Sequence, residues 1–386
     1  MRKRLAALAL MGLAGIVSAG EITDPVIKKL YEKGILTEEE ALQLQKEKNK
    51  EETPVVSKSK KLKFGGKAYI GYTYTDMNNG TDEGTFEVRR GYFVTKYYFN
   101  KKDYFRFTFD ISWQYKSEDP AQGKEISLKV KHLYLNKDIS SVIPNTQFEL
   151  GIAHTPWLDY EEHSGWWYRS VSKTFYEAKD GAHLLPSADA GIDFKTKFEH
   201  FSAEYGIFDG EGYDHIGRKD KGNKGNRPMI EGRATWHVLG GGKKKPKPLS
   251  QTYLNLSLHG LNSYNHRGSD DDLTVYQIHG VYNQPLFLVA AQYIKSDWYT
   301  GSENSGDGYS LNFEVRPFLN HRVSFFGRYD SWDSDNNAYD RQMYIYGVAY
   351  HMTKYITWIV NGITVDYDTN DSKDYTKYMI TAELHY

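Results

Sequence analysis

The 386-residue chain contains no cysteine. Disulfides are therefore excluded, and so are thiolate metal sites. Beyond residue 20 no apolar run approaches the length of a membrane helix. No helical pattern separates the strand-like stretches that fill the larger part, which argues against alternating strand–helix architecture. Net charge is also scarce, with 49 Lys and Arg against 50 Asp and Glu giving −1. Nothing in that balance calls for nucleic acid as a partner. Against these absences stand 32 Tyr, 18 Phe and 8 Trp in a chain whose mean hydropathy is −0.67. A polar average with so many aromatics fits strands that are apolar on one face only.

Residues 1–19 have a basic start, an apolar core and small residues ending in Val17-Ser18-Ala19. They read as a secretory signal peptide cut after Ala19. Its removal takes away Arg2, Lys3 and Arg4 and no acid, leaving −4. Residues 20–50 read as a periplasmic helical segment. Asp24-Pro25 caps and opens a first helix, Gly34 ends it, and Thr37 with Glu40 forms a capping box for a second. Two short helices bury little alone, so this segment is expected to serve trimer contacts or anchoring and not the pore. Residues 51–63 form a charged linker.

From Phe64 to the end the period is two. In "YFRFTFDISW" Phe105, Phe107, Phe109, Ile111 and Trp113 share one face, and Arg106, Thr108, Asp110 and Ser112 the other. About 16 such stretches follow one another. Their connections alternate between short ones ("NKKD", "FEH", "NQP") and longer acidic or Gly-rich ones ("DMNNGTDEG", "TGSENSGDG", "DTNDSKD"). The fold expected for residues 64–386 is all-β, a 16-stranded antiparallel transmembrane barrel of an outer membrane. A soluble β-sandwich also alternates, but aromatics near strand ends fit membrane girdles better. An even strand count returns the C-terminus to the periplasmic side, so Tyr386 is expected to close the barrel and sit at the membrane interface.

Several segments resemble the phosphate-selective porin O/P family. "FEVRRGYFVTKYYF" (86–99) resembles its paired arginines entering a strand. "FELGIAHTPWLDYEE" (148–162) is similar to its strand with a Thr-Pro turn into the third loop. "SADAGIDFKTKF" (187–198) and "AEYGIFDGEGYD" (203–214) match the strands that follow. "LYEKGILTEEEALQL" resembles the segment that precedes such barrels. The resemblance implies a homotrimer of 16-stranded porins, each with its own pore for small hydrophilic solutes and inorganic anions, notably phosphate. It implies no cofactor, metal or nucleic acid.

The residues speak less clearly on selectivity. By parity Arg89, Arg106, Lys129, Lys131, Lys195, Arg233, Arg316 and Arg328 face the lumen, but so do Glu87, Asp110, Glu149, Glu204 and Glu383, and the full sets nearly cancel. Arg89 leads because of its place in the family-like pair; Arg90 faces away unless a bulge intervenes. The loop from Pro156 to Pro186 carries five acids against Arg169, Lys173 and Lys179, and is read as packed inward. Arg89, Arg169 and Lys173 are expected to converge at a constriction, with Arg106, Lys129 and Lys131 near it, giving a mild anion preference. A basic stretch, Arg218 to Lys224, would draw anions to a mouth or merely be solvated. "GGGKKKPKP" (240–248) reads as a periplasmic hinge. His154, His163 and His183 show no metal-ligand spacing. Two other readings stay open. One is a barrel enzyme, for which Ser164 beside His163 is the suggestive pair. The other is an adhesive or structural surface protein.

Overall fold

Alternation of the kind just described needs two environments, and the chain supplies them by closing a sheet on itself. A computed structural model describes residues 24–51, 60–80, 82–115, 124–213, 228–266, 269–299, 302–318 and 321–386. The signal peptide, most of the linker and the basic stretch 218–224 lie outside the described residues. The chain divides into one unit ending at Ser59 and another from Lys60 to Tyr386.

The first unit holds α1 (Pro25–Glu32) and α2 (Glu38–Glu51). Asp24 accepts from the backbone N–H groups of Val26 and Ile27. Thr37 and Glu40 satisfy each other's backbone donors reciprocally. Ile27 and Ala41 are buried, while Val26, Ile35 and Leu44 stay exposed.

The second unit is a closed barrel of sixteen antiparallel strands, each paired with its sequence neighbours and β16 paired with β1. In order they are β1 (Leu62–Met77), β2 (Glu83–Tyr98), β3 (Tyr104–Tyr115), β4 (Lys124–Asp138), β5 (Thr146–His154), β6 (Ala188–Lys197), β7 (Phe201–Phe208) and β8 (Met229–Leu239). They continue as β9 (Tyr253–Ser263), β10 (Leu273–Gln284), β11 (Phe287–Asp297), β12 (Gly306–Val315), β13 (Val323–Ser334), β14 (Arg341–His351), β15 (Ile356–Tyr367) and β16 (Tyr375–His385). Closure leaves no sheet edge, which is what a strand structure needs to survive in hydrocarbon. The outward parity is apolar: Leu258, Ile278, Leu311, Phe313, Val360 and Ile380 are all exposed.

Tyr386 completes the seam. Its backbone exchanges hydrogen bonds with Gly66 at 2.9 and 3.2 Å. Its hydroxyl donates to the Tyr92 carbonyl at 3.0 Å, reaching over β1 to β2. That crossing requires a glycine at 66, because a Cβ there would lie 2.4 Å from the tyrosine ring.

Connections at one end are mostly short. At the other they are longer, and the longest, residues 155–187, folds into the lumen. It begins with α3 (Leu158–Ser164). Lys245 of the β8–β9 connection lies 3.5 Å from Asp159 and 3.2 Å from the His163 ring. The loop therefore reaches from the long-loop end to the short-turn end before returning.

Candidate functional site: a lumen divided by an inward loop

The sequence makes one half of the barrel interior apolar, and the loop covers that half. Trp157, Leu158, Phe175 and Tyr176 pack on Leu261, Leu273, Val275, Ile294 and Trp332. Further along, Trp166, Tyr168, Val171 and Ala178 pack on Phe326, Met343, Ile345, Ile363 and Val365. Burying a large apolar side chain stabilises by roughly 1.5–3 kcal/mol, so two such clusters fix the loop as part of the wall.

Arginines hold what packing does not specify. Arg233 donates to the Pro156 carbonyl (2.9 Å) and Arg328 to the Lys173 carbonyl (2.8 Å). Arg341 donates to the Gly181 carbonyl. Arg316 donates to the Pro248 carbonyl and lies over the Trp167 ring. Arg233, Arg316 and Arg328, lumen-facing by parity, thus act as structural clasps on the loop.

The larger open spaces run along β1–β4 and β16, and a smaller one of about 190 Å³ lies between β6–β9 and the loop at the short-turn end. A cavity of about 880 Å³ at the long-loop end is lined by Thr73, Thr85, Glu87, Arg89, Asp180 and Lys377, among others. A second, about 380 Å³, lies toward the short-turn end, where Lys67, Tyr92, Arg106, Lys131, His132 and Lys245 contribute.

Two β-bulges shape this wall. Tyr69 pairs with Arg90 and Ile70 with Val88, which leaves Arg89 as the extra residue. Parity switches there, so both arginines point inward. Arg89 donates to the Ser170 carbonyl at 3.0 Å and sits 3.1 Å from Glu87. Arg90 pairs with Asp110 at 2.5 Å. A bulge does intervene at Arg90, the exception under which it turns inward. On β4, Thr108 pairs with His132 and Phe109 with Val130, leaving Lys131 extra. Lys131 lies over the rings of Tyr92 (5.0 Å) and Tyr213 (5.9 Å). His132 follows it inward, with neither ring nitrogen hydrogen-bonded among the described residues. Simple alternation cannot disclose a bulge, and the adjacent basic pairs Arg89-Arg90 and Lys131-His132 were the only signal available.

The other expected site residues take distinct places. Arg169 is held by Glu162 and Glu177, and its Nε donates to the Tyr92 hydroxyl at 3.3 Å. Lys173 lies 2.9 Å from the same Glu177. Burial would raise the Glu177 carboxyl, but Arg169 and Lys173 bring it below the usual range. Arg89 reaches the loop only at the Ser170 carbonyl, while Arg169 and Lys173 share Glu177, and each of the three has a carboxylate partner. Arg106 donates to Thr108 at 3.0 Å and contacts the His154 ring at 3.1 Å. No described carboxylate pairs with Arg106 or Lys131. Lys129 stands opposite Asp110 in the β3–β4 register, and Lys195 is surrounded by Glu149, Asp193 and Glu204.

The Ser164 hydroxyl donates to the Tyr160 carbonyl at 2.6 Å, and the His163 ring engages Asp159. The serine and histidine are thus neighbours in sequence but each is occupied elsewhere. His154 goes to Glu149 and also lies 3.8 Å from Asp159, which His163 engages, while His183 goes to Glu303.

No family model matches the chain, and no curated protein matches it in sequence. Solved structures do match in fold. The anion-selective porin from Comamonas acidovorans has a TM-score of 0.60 at 11% identity, over 84% of this chain and 99% of that one. OprB from Pseudomonas putida has a TM-score of 0.60 at 9% identity, over 84% and 94%. OmpT from Vibrio cholerae in its trimer form has a TM-score of 0.53 at 12% identity, over 84% and 99%. At these identities the likeness is one of architecture: the chain has the 16-stranded fold of outer-membrane porins.

Proposed function

We propose that the chain is an outer-membrane porin of a Gram-negative-type bacterium, a water-filled channel for passive diffusion of small hydrophilic solutes and ions. The observation that carries this reading is the divided lumen. A loop fixed by packing and arginine clasps fills one half, and charged residues line two open cavities along the other. Selectivity in such a pore follows from its width and charge. The smaller cavity carries Arg106 and Lys131 without paired carboxylates, which supports a mild preference for inorganic anions, phosphate among them. Membership in the phosphate-selective O/P family rests on the ordered motifs between residues 86 and 214. A homotrimer is proposed on the same resemblance, and residues 20–50 are assigned to the periplasm as a contact or anchoring segment.

Reversal potential in a planar bilayer under a tenfold KCl gradient tests the proposal. Purified protein should give stepwise conductance and a small displacement toward the chloride potential. Absence of conductance would overturn the channel, and a displacement toward potassium would overturn the anion preference.

A further inference from the structure

Among the described residues, the charges along the open half of the lumen are sorted by depth. The cavity at the long-loop end is lined by Asp82, Glu83, Glu87 and Asp180, against Arg89 and Lys377. At the short-turn end the cations are Lys67, Arg106, Lys131, Arg169 and Lys245. Among the described residues lining it Asp159 and Glu162 oppose them, and Glu177 behind the wall is bound to Arg169. The total nearly cancels, but its two halves do not occupy the same place.

Separation decides whether that matters. Thr75 lines the outer cavity and Lys67 the inner one, eight residues apart on β1. At about 3.3 Å per residue and a tilt of about 40°, the two lie roughly 20 Å apart along the barrel axis. Fields are screened over about 8 Å in physiological salt. Each chamber therefore presents its own sign to a passing ion. The Arg89–Ser170 contact, with Arg169 and Lys173 on Glu177, marks the boundary between them.

We infer that the pore is electrically polarised along its axis, with a cation-attracting outer chamber in series with an anion-attracting inner one, and that it rectifies current. This deepens the channel reading and rests on it. Two oppositely charged zones in series conduct best when each zone's favoured ion is driven in through it. That happens when the long-loop side is positive: cations enter the acidic chamber, anions enter the basic one, and carriers accumulate at the boundary. The opposite polarity depletes both. Asp82, Glu83, Lys67 and Arg106 thereby become determinants of direction as well as of selectivity.

The test is the current–voltage curve of the full mature protein in planar bilayers. Orientation is fixed by an Asn79→Cys variant in the β1–β2 connection, probed with a membrane-impermeant thiol reagent from one side. At about 0.1 M KCl the current with the long-loop side positive should exceed its reverse by about 1.5-fold. At 1 M, where the screening length falls to about 3 Å, the ratio should approach one. Asp82→Asn with Glu83→Gln should lower the low-salt ratio while the channel stays open. Open channels that are symmetric at every salt, or that rectify in the opposite sense, would overturn the polarised pore and leave the channel intact. Absence of conductance would overturn the channel reading itself.

Discussion

Arg89 on β2 donates from Nη1 to the carbonyl of Ser170 at 3.0 Å, so a wall residue displaced by a bulge touches the loop that divides the lumen. The contact lies opposite the side on which the loop is packed. Across the barrel, Arg328 donates to the carbonyl of Lys173, three residues further on. A buried loop backbone needs partners for its carbonyls, and arginines on facing walls supply them. The bore is thereby set from both sides.

Releasing that clasp should loosen the loop without opening the barrel. Arg328 also lies 2.9 Å from Asp330 and over the Trp166 ring at 4.5 Å. Arg328→Ala leaves Asp330 buried without its partner, a loss of about 3–5 kcal/mol for such pairs. Urea unfolding should shift to lower concentration, and single-channel recordings should gain flicker. A quiet trace at unchanged stability would show that packing alone holds the loop.

Selectivity should respond differently to two sets of neutral substitutions. Replacing Arg89, Arg169 and Lys173 together by Gln uncovers Glu162 and Glu177, which the last two hold. Reversal potential should move strongly toward cations. Arg106→Gln with Lys131→Gln uncovers no paired carboxylate and should give a smaller shift of the same sign. An unchanged potential in both sets, with pores open, would place the constriction elsewhere.

Acidity should act through the loop. Burial raises the Glu161 carboxyl to about 7 from its ordinary 4.5, although Trp157 and Gln292 donate to it. The folded state therefore binds this proton more tightly than the unfolded chain. Stability contributed by the group is full below pH 4.5, falls as pH rises to about 7, and is flat beyond. The change is on the order of 3 kcal/mol. Glu161→Gln should remove that slope from unfolding free energies measured between pH 4.5 and 8. An identical slope in both proteins would contradict it.

Barrel closure should depend on an absent side chain. A Cβ at Gly66 would fall 2.1 Å from the Tyr92 carbonyl oxygen and 2.4 Å from the Tyr386 ring. Gly66→Val should displace Tyr386 and open the β1–β16 seam at its end. The cost of forcing bulk into a packed site is about 1–3 kcal/mol or more. Resistance of the folded barrel to SDS at rising temperature should fall by comparison with the parent protein. Unaltered resistance would mean that the seam does not need the crossing tyrosine.

The barrel was legible because alternation is a local property. Phe105 to Trp113 declares its outward face without reference to any other strand, and the alternating connections give the strand order. The filled half of the lumen was not legible. Met343, Ile345, Ile363 and Val365 point inward, yet they look like any apolar residue of a strand until the loop lies on them. Nor could parity separate clasps from pore residues. Arg328 and Arg106 follow the same rule, and only the course of the loop assigns one to a carbonyl and the other to the lining of a cavity. Arg90 was open for a different reason: an inserted residue inverts all later positions, and the sequence marks it only by an adjacent pair of bases.

Cysteine accessibility tests the divided lumen most directly, since the parent chain has no thiol of its own. Thr85→Cys and Lys67→Cys lie on the open side, and Thr235→Cys and Gln277→Cys point inward beneath the loop. A charged, water-soluble methanethiosulfonate added to open channels should modify the first two and change their conductance in steps. It should leave the second pair untouched over the same time. Equal modification at all four positions would contradict the divided lumen.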